Sequence, residues 1–306
     1  MPSPGIQRFL DAVAAGTRPR PADFAALSDL DRADAAYLRE RWLDIPLEAR
    51  EFLLDEAYEL ADEDLALDFT ALGRVGLADP EPSVRLRAIQ ALWESLDPAA
   101  GDLLVALVET ERDLEVRAAA ARSLLRFLEA AEYGRLEESA ARRMTAALLE
   151  AAESAAEDLR AAAVEALGPS GDPRVPAVIE AAYESGQPAL RLAAIRAMGY
   201  SAREEWAEYI AEQLAADDPE MRFEAALAAG ALGSEELVPA LGDALSDDDA
   251  EVLFAVIEAL GDIGGEEAVE LLEAYREEVP PGLEDAVEAA LEAARGIQFR
   301  RFGELS

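Results

Sequence analysis

The side chains able to do chemistry in this chain are few in kind. All 27 basic residues are arginines, 65 residues are Asp or Glu, and histidine, cysteine, lysine and asparagine are absent. Without cysteine there is no disulfide, no thiolate-bound Fe–S cluster and no thiol nucleophile. Without histidine there is no His-containing triad and no imidazole ligand set for zinc or di-iron, and without lysine there is no Schiff base. Carboxylates alone remain for acid–base work, and no Asp or Glu pair stands apart from so many. The run Asp247-Asp248-Asp249 would attract a divalent cation, yet it lacks the spaced oxygens and glycine of a calcium loop and reads as a turn and helix cap. No catalytic residue, metal ligand or cofactor is therefore assigned. What arginine does well is pair bidentately with carboxylates, so the question becomes where the arginines fall.

They fall at a fixed interval. Arg160, Arg191 and Arg222 are 31 residues apart, and Leu253 and Glu284 continue the register. One position earlier stand Leu159, Leu190, Met221, Val252 and Leu283; three later, Ala163, Ala194, Ala225, Val256 and Val287; six later, Ala166, Ala197, Ala228, Ala259 and Ala290. These offsets share one face of a helix, and alanine at the sixth position lets neighbouring helices approach closely. Gly168, Gly199, Gly230 and Gly261 keep the same interval near the helix end, where a left-handed C-cap is expected. Between each glycine and the next arginine lies a second apolar helix, such as that of Trp206, Tyr209, Ile210 and Leu214. Acidic turns such as Asp217-Asp218-Pro219-Glu220 stop one helix and cap the next. Asp79 to Arg85 and Asp113 to Arg117 repeat the design, but Arg117 to Arg160 spans 43 residues. The extra dozen falls around Phe127 to Arg143, read as lengthened helices or an inserted turn. A period of this size is the mark of a solenoid.

The units resemble HEAT repeats, in particular the bacterial type first associated with phycobilisome (PBS) lyases: an acidic turn, Val-Arg, then alanines and a leucine before glycine. Here that reads Ser83-Val84-Arg85-Leu86-Arg87-Ala88-Ile89-Gln90-Ala91-Leu92 and Leu190-Arg191-Leu192-Ala193-Ala194-Ile195-Arg196-Ala197-Met198-Gly199. Pro176 and Pro239 match the proline kink such repeats carry in their first helices. The resemblance implies an all-α, right-handed α-solenoid (α-α superhelix) of about seven two-helix units over residues 63–295. It also implies that Arg85, Arg117, Arg160, Arg191 and Arg222 form a structural ladder with turn aspartates. Leu253 and Glu284 replace the arginine where the array is expected to approach an end cap. Activity stays open, since scaffolds, lyase subunits, hydroxylases and nucleic-acid enzymes share the repeat; the di-iron hydroxylases among them need His-Glu pairs that this chain lacks.

Residues 1–62 do not follow the period. Helices are expected over Ile6–Ala14, Leu30–Trp42 and Leu47–Leu60, together forming an N-terminal cap. Residues 296–306 leave the helical pattern, and Phe299-Arg300-Arg301-Phe302 make this tail a candidate for self-association. No stretch approaches 18 apolar residues and the first residues have no signal-peptide pattern, so a cytoplasmic protein with no membrane insertion is expected.

The resemblance places the second helix of each unit on the concave side. Positions two, five and nine after the ladder residue then face a groove, giving Arg87, Gln90, Arg122, Arg126, Arg196 and Tyr200 as candidate partner-binding residues for an acidic peptide. From Glu204 to Ala294 only Arg222 and Arg276 are basic, a negative field that argues against direct nucleic-acid binding. The expected function is a non-catalytic protein–protein interaction scaffold. The alternative is a lyase-like subunit holding a chromophore or a chromophore-bearing client through contacts such as Trp93 and Tyr200.

Overall fold

The computed structural model describes residues 1–64 and 66–303, with side chains through 297. Among the described residues the only regular structure is helical, and the chain divides into two compact units, Met1–Ala166 and Leu167–Ser306. The first holds α1 (Pro4–Ala14), α2 (Arg32–Arg41), α3 (Leu47–Glu63), α4 (Thr70–Gly76), α5 (Pro82–Ala91), α6 (Pro98–Thr110), α7 (Leu114–Glu132) and α8 (Glu138–Ala151), with α9 (Glu157–Leu167) at the division. The second holds α10 (Val175–Tyr183), α11 (Pro188–Tyr200), α12 (Ala207–Leu214), α13 (Pro219–Leu232), α14 (Val238–Ala244), α15 (Ala250–Ile263), α16 (Glu266–Tyr275) and α17 (Glu284–Gly303).

Each odd-numbered helix from α3 packs on the next odd one within its unit, forming a second-helix row: α3, α5 and α7 in the first unit; α11, α13, α15 and α17 in the second. Even-numbered partners form the first row, with α4 on α6, α6 on α8, α12 on α14 and α14 on α16. The apolar column explains this stacking. Ala166, Ala197, Ala228, Ala259 and Ala290 are all buried, as are Leu159, Leu190, Met221 and Val252. Aspartates cap the helix starts as the turns suggest: Asp113, Asp218 and Asp249 each accept backbone N–H groups at the starts of α7, α13 and α15, worth about 1 kcal/mol apiece.

Three expectations change. Gly199, Gly230 and Gly261 lie inside the last turns of their helices and are not left-handed; that role falls to Gly233, after α13. Their reason is proximity: a Cβ on Gly199 would sit 2.8 Å from Ala228 Cα, and one on Gly168 2.6 Å from the Ala197 carbonyl oxygen. The period thus marks close helix–helix approach. Pro176 and Pro239 stand in the first turn of α10 and α14, where no backbone N–H is required, so they open these helices without kinking them. At the far end, α17 continues as helix to Gly303, so the backbone does not leave the helical pattern at 296; the side chains of Phe299 to Phe302, and residues 304–306, lie outside the described residues.

The long unit resolves into lengthened helices, α7 with 19 residues and α8 with 14, joined by a turn in which Gly134 is left-handed. Among the described residues no helix is long and apolar enough to cross a membrane.

Candidate interaction surface on the second-helix row

The ladder arginines set the row's geometry. The Arg85 Nη1 donates to the Asp79 carbonyl at 2.7 Å and its guanidinium pairs with Glu111 at 2.7 Å, in the turn of the next unit. Arg222 repeats this with the Ala216 carbonyl at 2.9 Å and both oxygens of Asp247 at 2.6 and 3.0 Å. Arg117 donates to Val108 O, and Arg191 to Tyr183 O while lying over the Tyr183 ring at 5.6 Å. The Val108 and Tyr183 carbonyls lie in the last turns of α6 and α10, where intrahelical donors run out, and those of Asp79 and Ala216 lie in the turns just after α4 and α12. Arg160 holds the same position in α9 and is half-buried. A further rung appears where the spacing gave no sign of one. Arg50, on α3, pairs with the buried Asp79, which also accepts the Trp42 Nε1–H at 2.6 Å. Its 35-residue distance from Arg85 breaks the register, so α3 reads from sequence as part of a separate cap.

Charge follows from the rungs. Arg222 donates to Asp247 and, against the cost of burial, backbone N–H of Asp249 adds to the effect, holding this carboxyl below its ordinary value. At Glu111 burial opposes ionisation, but the N–H groups of Asp113 and Arg112 and the charge of Arg85 outweigh it, and its value is also lowered. A lowered native value means the unfolded chain takes up the proton first as pH falls. The Arg222–Asp247 contribution is therefore complete above the ordinary carboxylate value, about 4, and is lost as pH drops through the lower native one. We expect Arg222→Gln to lower the urea midpoint of the second unit at pH 6, with the gap to the parent chain narrowing at pH 3. A gap independent of pH would show that the rung's stabilisation comes from the carbonyl bonds alone. Asp249 caps α15 and Asp247 is held by Arg222, so the acidic triplet acts as turn and cap; among the described residues no cluster of three or more metal-ligating side chains occurs.

The six candidate contact residues do not form one free groove. Arg87 pairs with Asp55 at 3.0 Å and Glu51 at 3.6 Å, both on α3. Arg196 grips Glu224 of α13 with two bonds, to Oε2 at 2.9 Å and to Oε1. These two arginines therefore brace adjacent helices of the row, each with its side chain 33% exposed. Gln90 and Arg122 are exposed, Arg126 is half-buried, and Tyr200 is 38% exposed at the end of α11. Positions two after the ladder residue are packed at Ala162, Ala193 and Ala255; the fifth position reaches solvent in all three units, and the ninth does so at Tyr200 and Asp262 but not at the buried Pro169.

The first unit presents a stack in which one candidate, Arg126, is joined by two aromatic side chains outside the groove positions. Tyr58 of α3 meets Trp93, just beyond α5, edge to face at 6.3 Å, and the Arg126 guanidinium of α7 lies over Trp93 at 5.8 Å while donating to the Glu94 carbonyl at 3.3 Å. Tyr58 and Trp93 are each 40% exposed. Both stand eight positions after Arg50 and Arg85; once Arg50 is counted as a rung, their shared register is visible. Trp93 also borders an open cleft of about 620 Å³ lined by Asp29, Asp68, Arg74 and Asp97, in which Arg74 pairs with Asp97 at 3.1 Å.

The sequence matches the family model of HEAT repeats at residues 74–143, 175–249 and 207–292, and that of the PBS lyase HEAT-like repeat at 159–185. No match is found among curated proteins. Among solved structures, the chain is similar to karyopherin Kap121p bound to the extreme C-terminus of the protein phosphatase Cdc14p, with 12% identity over 94% of this chain and 36% of that one, at a TM-score of 0.54. It is also similar to the CpcE–CpcF complex of phycocyanin lyase from Nostoc sp. PCC7120 (19% identity, 74% and 94% covered, TM-score 0.49). A third is human deoxyhypusine hydroxylase in complex with glycerol (22% identity, 95% and 97% covered, TM-score 0.39). At these identities the likeness is one of fold.

Proposed function

Because the chain belongs to the HEAT-repeat family, we propose that it is a non-catalytic interaction scaffold that holds a protein or peptide segment against the exposed face of its second-helix row. The observation that carries this is the Tyr58–Trp93–Arg126 stack. Trp93, just beyond α5, is flanked by Tyr58 of α3 and Arg126 of α7, one side chain from each of three successive repeats of the row, with both rings 40% exposed. Aromatic and arginine side chains fixed in this way lose little freedom on binding and are the types that anchor interfaces. Arg122, exposed one turn before Arg126 on α7, adds a guanidinium that no carboxylate of the described residues pairs with. The segment that fits has a carboxylate for Arg122 and an apolar or aromatic side chain for Trp93. The chemistry of the chain supports a binding role over catalysis, since histidine, cysteine and lysine are all missing.

A display library of short peptides panned against the parent chain and against Trp93→Ala tests this. Sequences carrying an acidic residue beside an aromatic one should be enriched on the parent and lost on the variant, whose helical circular dichroism should be unchanged. Equal enrichment on both proteins would remove the first-unit face from the account. The second reading, a subunit that holds a chromophore or its client, draws on the same Trp93–Arg126 pair, on which a planar conjugated ligand would stack. Protein purified from its own host should show visible absorbance if this reading is right and none if the scaffold acts on polypeptide alone.

A further inference from the structure

A second surface, in the other compact unit, has the opposite charge. Leu192, Phe223 and Phe254 each follow the ladder position by one residue on α11, α13 and α15, 31 residues apart. Gly199 abuts Ala228 and Gly230 abuts Ala259, so residues 29 apart are direct neighbours and those 31 apart differ in height by only about 3 Å. The three side chains therefore form a row across the helices. Leu227, one turn beyond Phe223, widens it. Phe254 and Leu227 are each 41% exposed, and Leu192 and Phe223 are half-buried. The fold does not require apolar groups at this register: α7 has the small Ala118 there and α17 has Asp285.

Around this row stand the exposed carboxylates Glu220, Glu251, Glu258 and Asp262, none with an arginine partner among the described residues. The two arginines of the stretch from Glu204 to Ala294 are both engaged, Arg222 by Asp247 and Arg276 by Glu288. The guanidinium nearest the row, Arg196 one turn beyond Leu192, is held by Glu224, so the four carboxylates give the row a negative field.

We infer that this face of α11, α13 and α15 docks a cationic amphipathic helix of a partner protein, its apolar stripe on Leu192, Phe223, Leu227 and Phe254 and its Lys or Arg flanks on the four carboxylates. Spacing supports a helix as the occupant. Neighbouring packed helices are about 8–10 Å apart, close to the rise of about 10.5 Å between residues i and i+7 of an α-helix. A ligand helix crossing the row would place one apolar side chain per repeat. Its charge is set by complementarity, which also predicts fast, salt-sensitive association. This surface is separate from the Trp93 stack and does not depend on it.

The test uses fluorescence anisotropy with the full chain and three labelled synthetic peptides of about 18 residues, enough for two i to i+7 steps. One is a Leu/Lys amphipathic helix, one has the same composition in scrambled order, and one replaces every Lys by Glu. The Leu/Lys helix should bind and weaken with salt, the scrambled peptide should bind far less, and the Leu/Glu helix should not bind. Phe254→Ala combined with Leu227→Ala should weaken the Leu/Lys helix by at least about tenfold, whereas Trp93→Ala should leave its binding unchanged. Equal binding by the scrambled peptide, or by the double variant, would overturn the proposal in favour of simple polyelectrolyte attraction. Sedimentation showing a parent dimer that the double variant converts to monomer would also overturn it, since the face would then be covered by a second copy.

Discussion

Asp79→Ala is expected to cost the first compact unit about 3–5 kcal/mol, the range for removing one partner of a buried ion pair. The Asp79 side chain is fully buried and the Arg50 side chain is 10% exposed. The carboxylate accepts from Arg50, from the Trp42 indole and from the Glu81 backbone N–H. Deleting it leaves the Arg50 charge and the Trp42 N–H buried without their acceptor, and that penalty exceeds what the intact pair itself contributes. Urea unfolding followed by tryptophan fluorescence in a Trp206→Phe background would read this out, because Trp42 and Trp93 both lie in the first unit. A loss below about 1 kcal/mol, the level of a solvent-exposed pair, would show that Arg50–Asp79 is not a ladder rung.

Gly199→Ala is the second large effect, and its sign runs against the usual rule. In a helix interior this change ordinarily stabilises by about 0.5–1 kcal/mol. Here the new methyl would meet the Cα of Ala228 at 2.8 Å and its carbonyl oxygen at 3.0 Å. Backbone cannot swing aside as a side-chain tip can, so α11 and α13 must separate, at a cost of about 1–3 kcal/mol. Gly242→Ala is the control. Its nearest obstacles are the side-chain carbons of Leu271, at 3.0 Å and beyond, which can rotate, so it should be close to neutral. Thermal unfolding of the two variants should therefore differ clearly; if Gly199→Ala raised the midpoint, close helix approach would not be the reason for the 31-residue glycine.

Much of this architecture is legible in the sequence because a repeat presents the same constraint several times. The buried alanine column and the capping aspartates follow from position in the period, while the rungs follow from the resemblance, which implies a turn aspartate as at Arg222, whereas Arg85 meets Glu111. What the period cannot show is sideways register. Asp55 lies 32 residues from Arg87 and Glu224 lies 28 from Arg196, each on a neighbouring helix. Whether a given pair meets depends on helix rotation, which composition does not encode. The glycines show the same limit: their interval is plain, but a cap and a close contact predict the same spacing, and only the backbone angles separate them. Arg50 escapes because the first rung lies 35 residues from the next, and Tyr58 escapes with it; Trp93 is visible from sequence as a candidate aromatic contact, but not its partner. The row of Leu192, Phe223 and Phe254 was within reach, at a strict 31-residue interval, one position after the residues used to set the register.

A scaffold of this build should bind through the solvent face of the second-helix row in each of its two compact units. Quantitative affinity capture from the native host, with the parent chain, Trp93→Ala, Phe254→Ala and Tyr209→Ala compared side by side, tests it most directly. Tyr209 serves as the reference because it lies on the first-row helix α12, exposed enough to bond Glu180 at the surface. Partners captured in stoichiometric amount should all be retained by Tyr209→Ala, with one lost on Trp93→Ala and a different one lost on Phe254→Ala, while helical content stays the same. A partner lost with Tyr209→Ala and kept by both second-row variants would contradict it and move the interaction to the other face of the repeats.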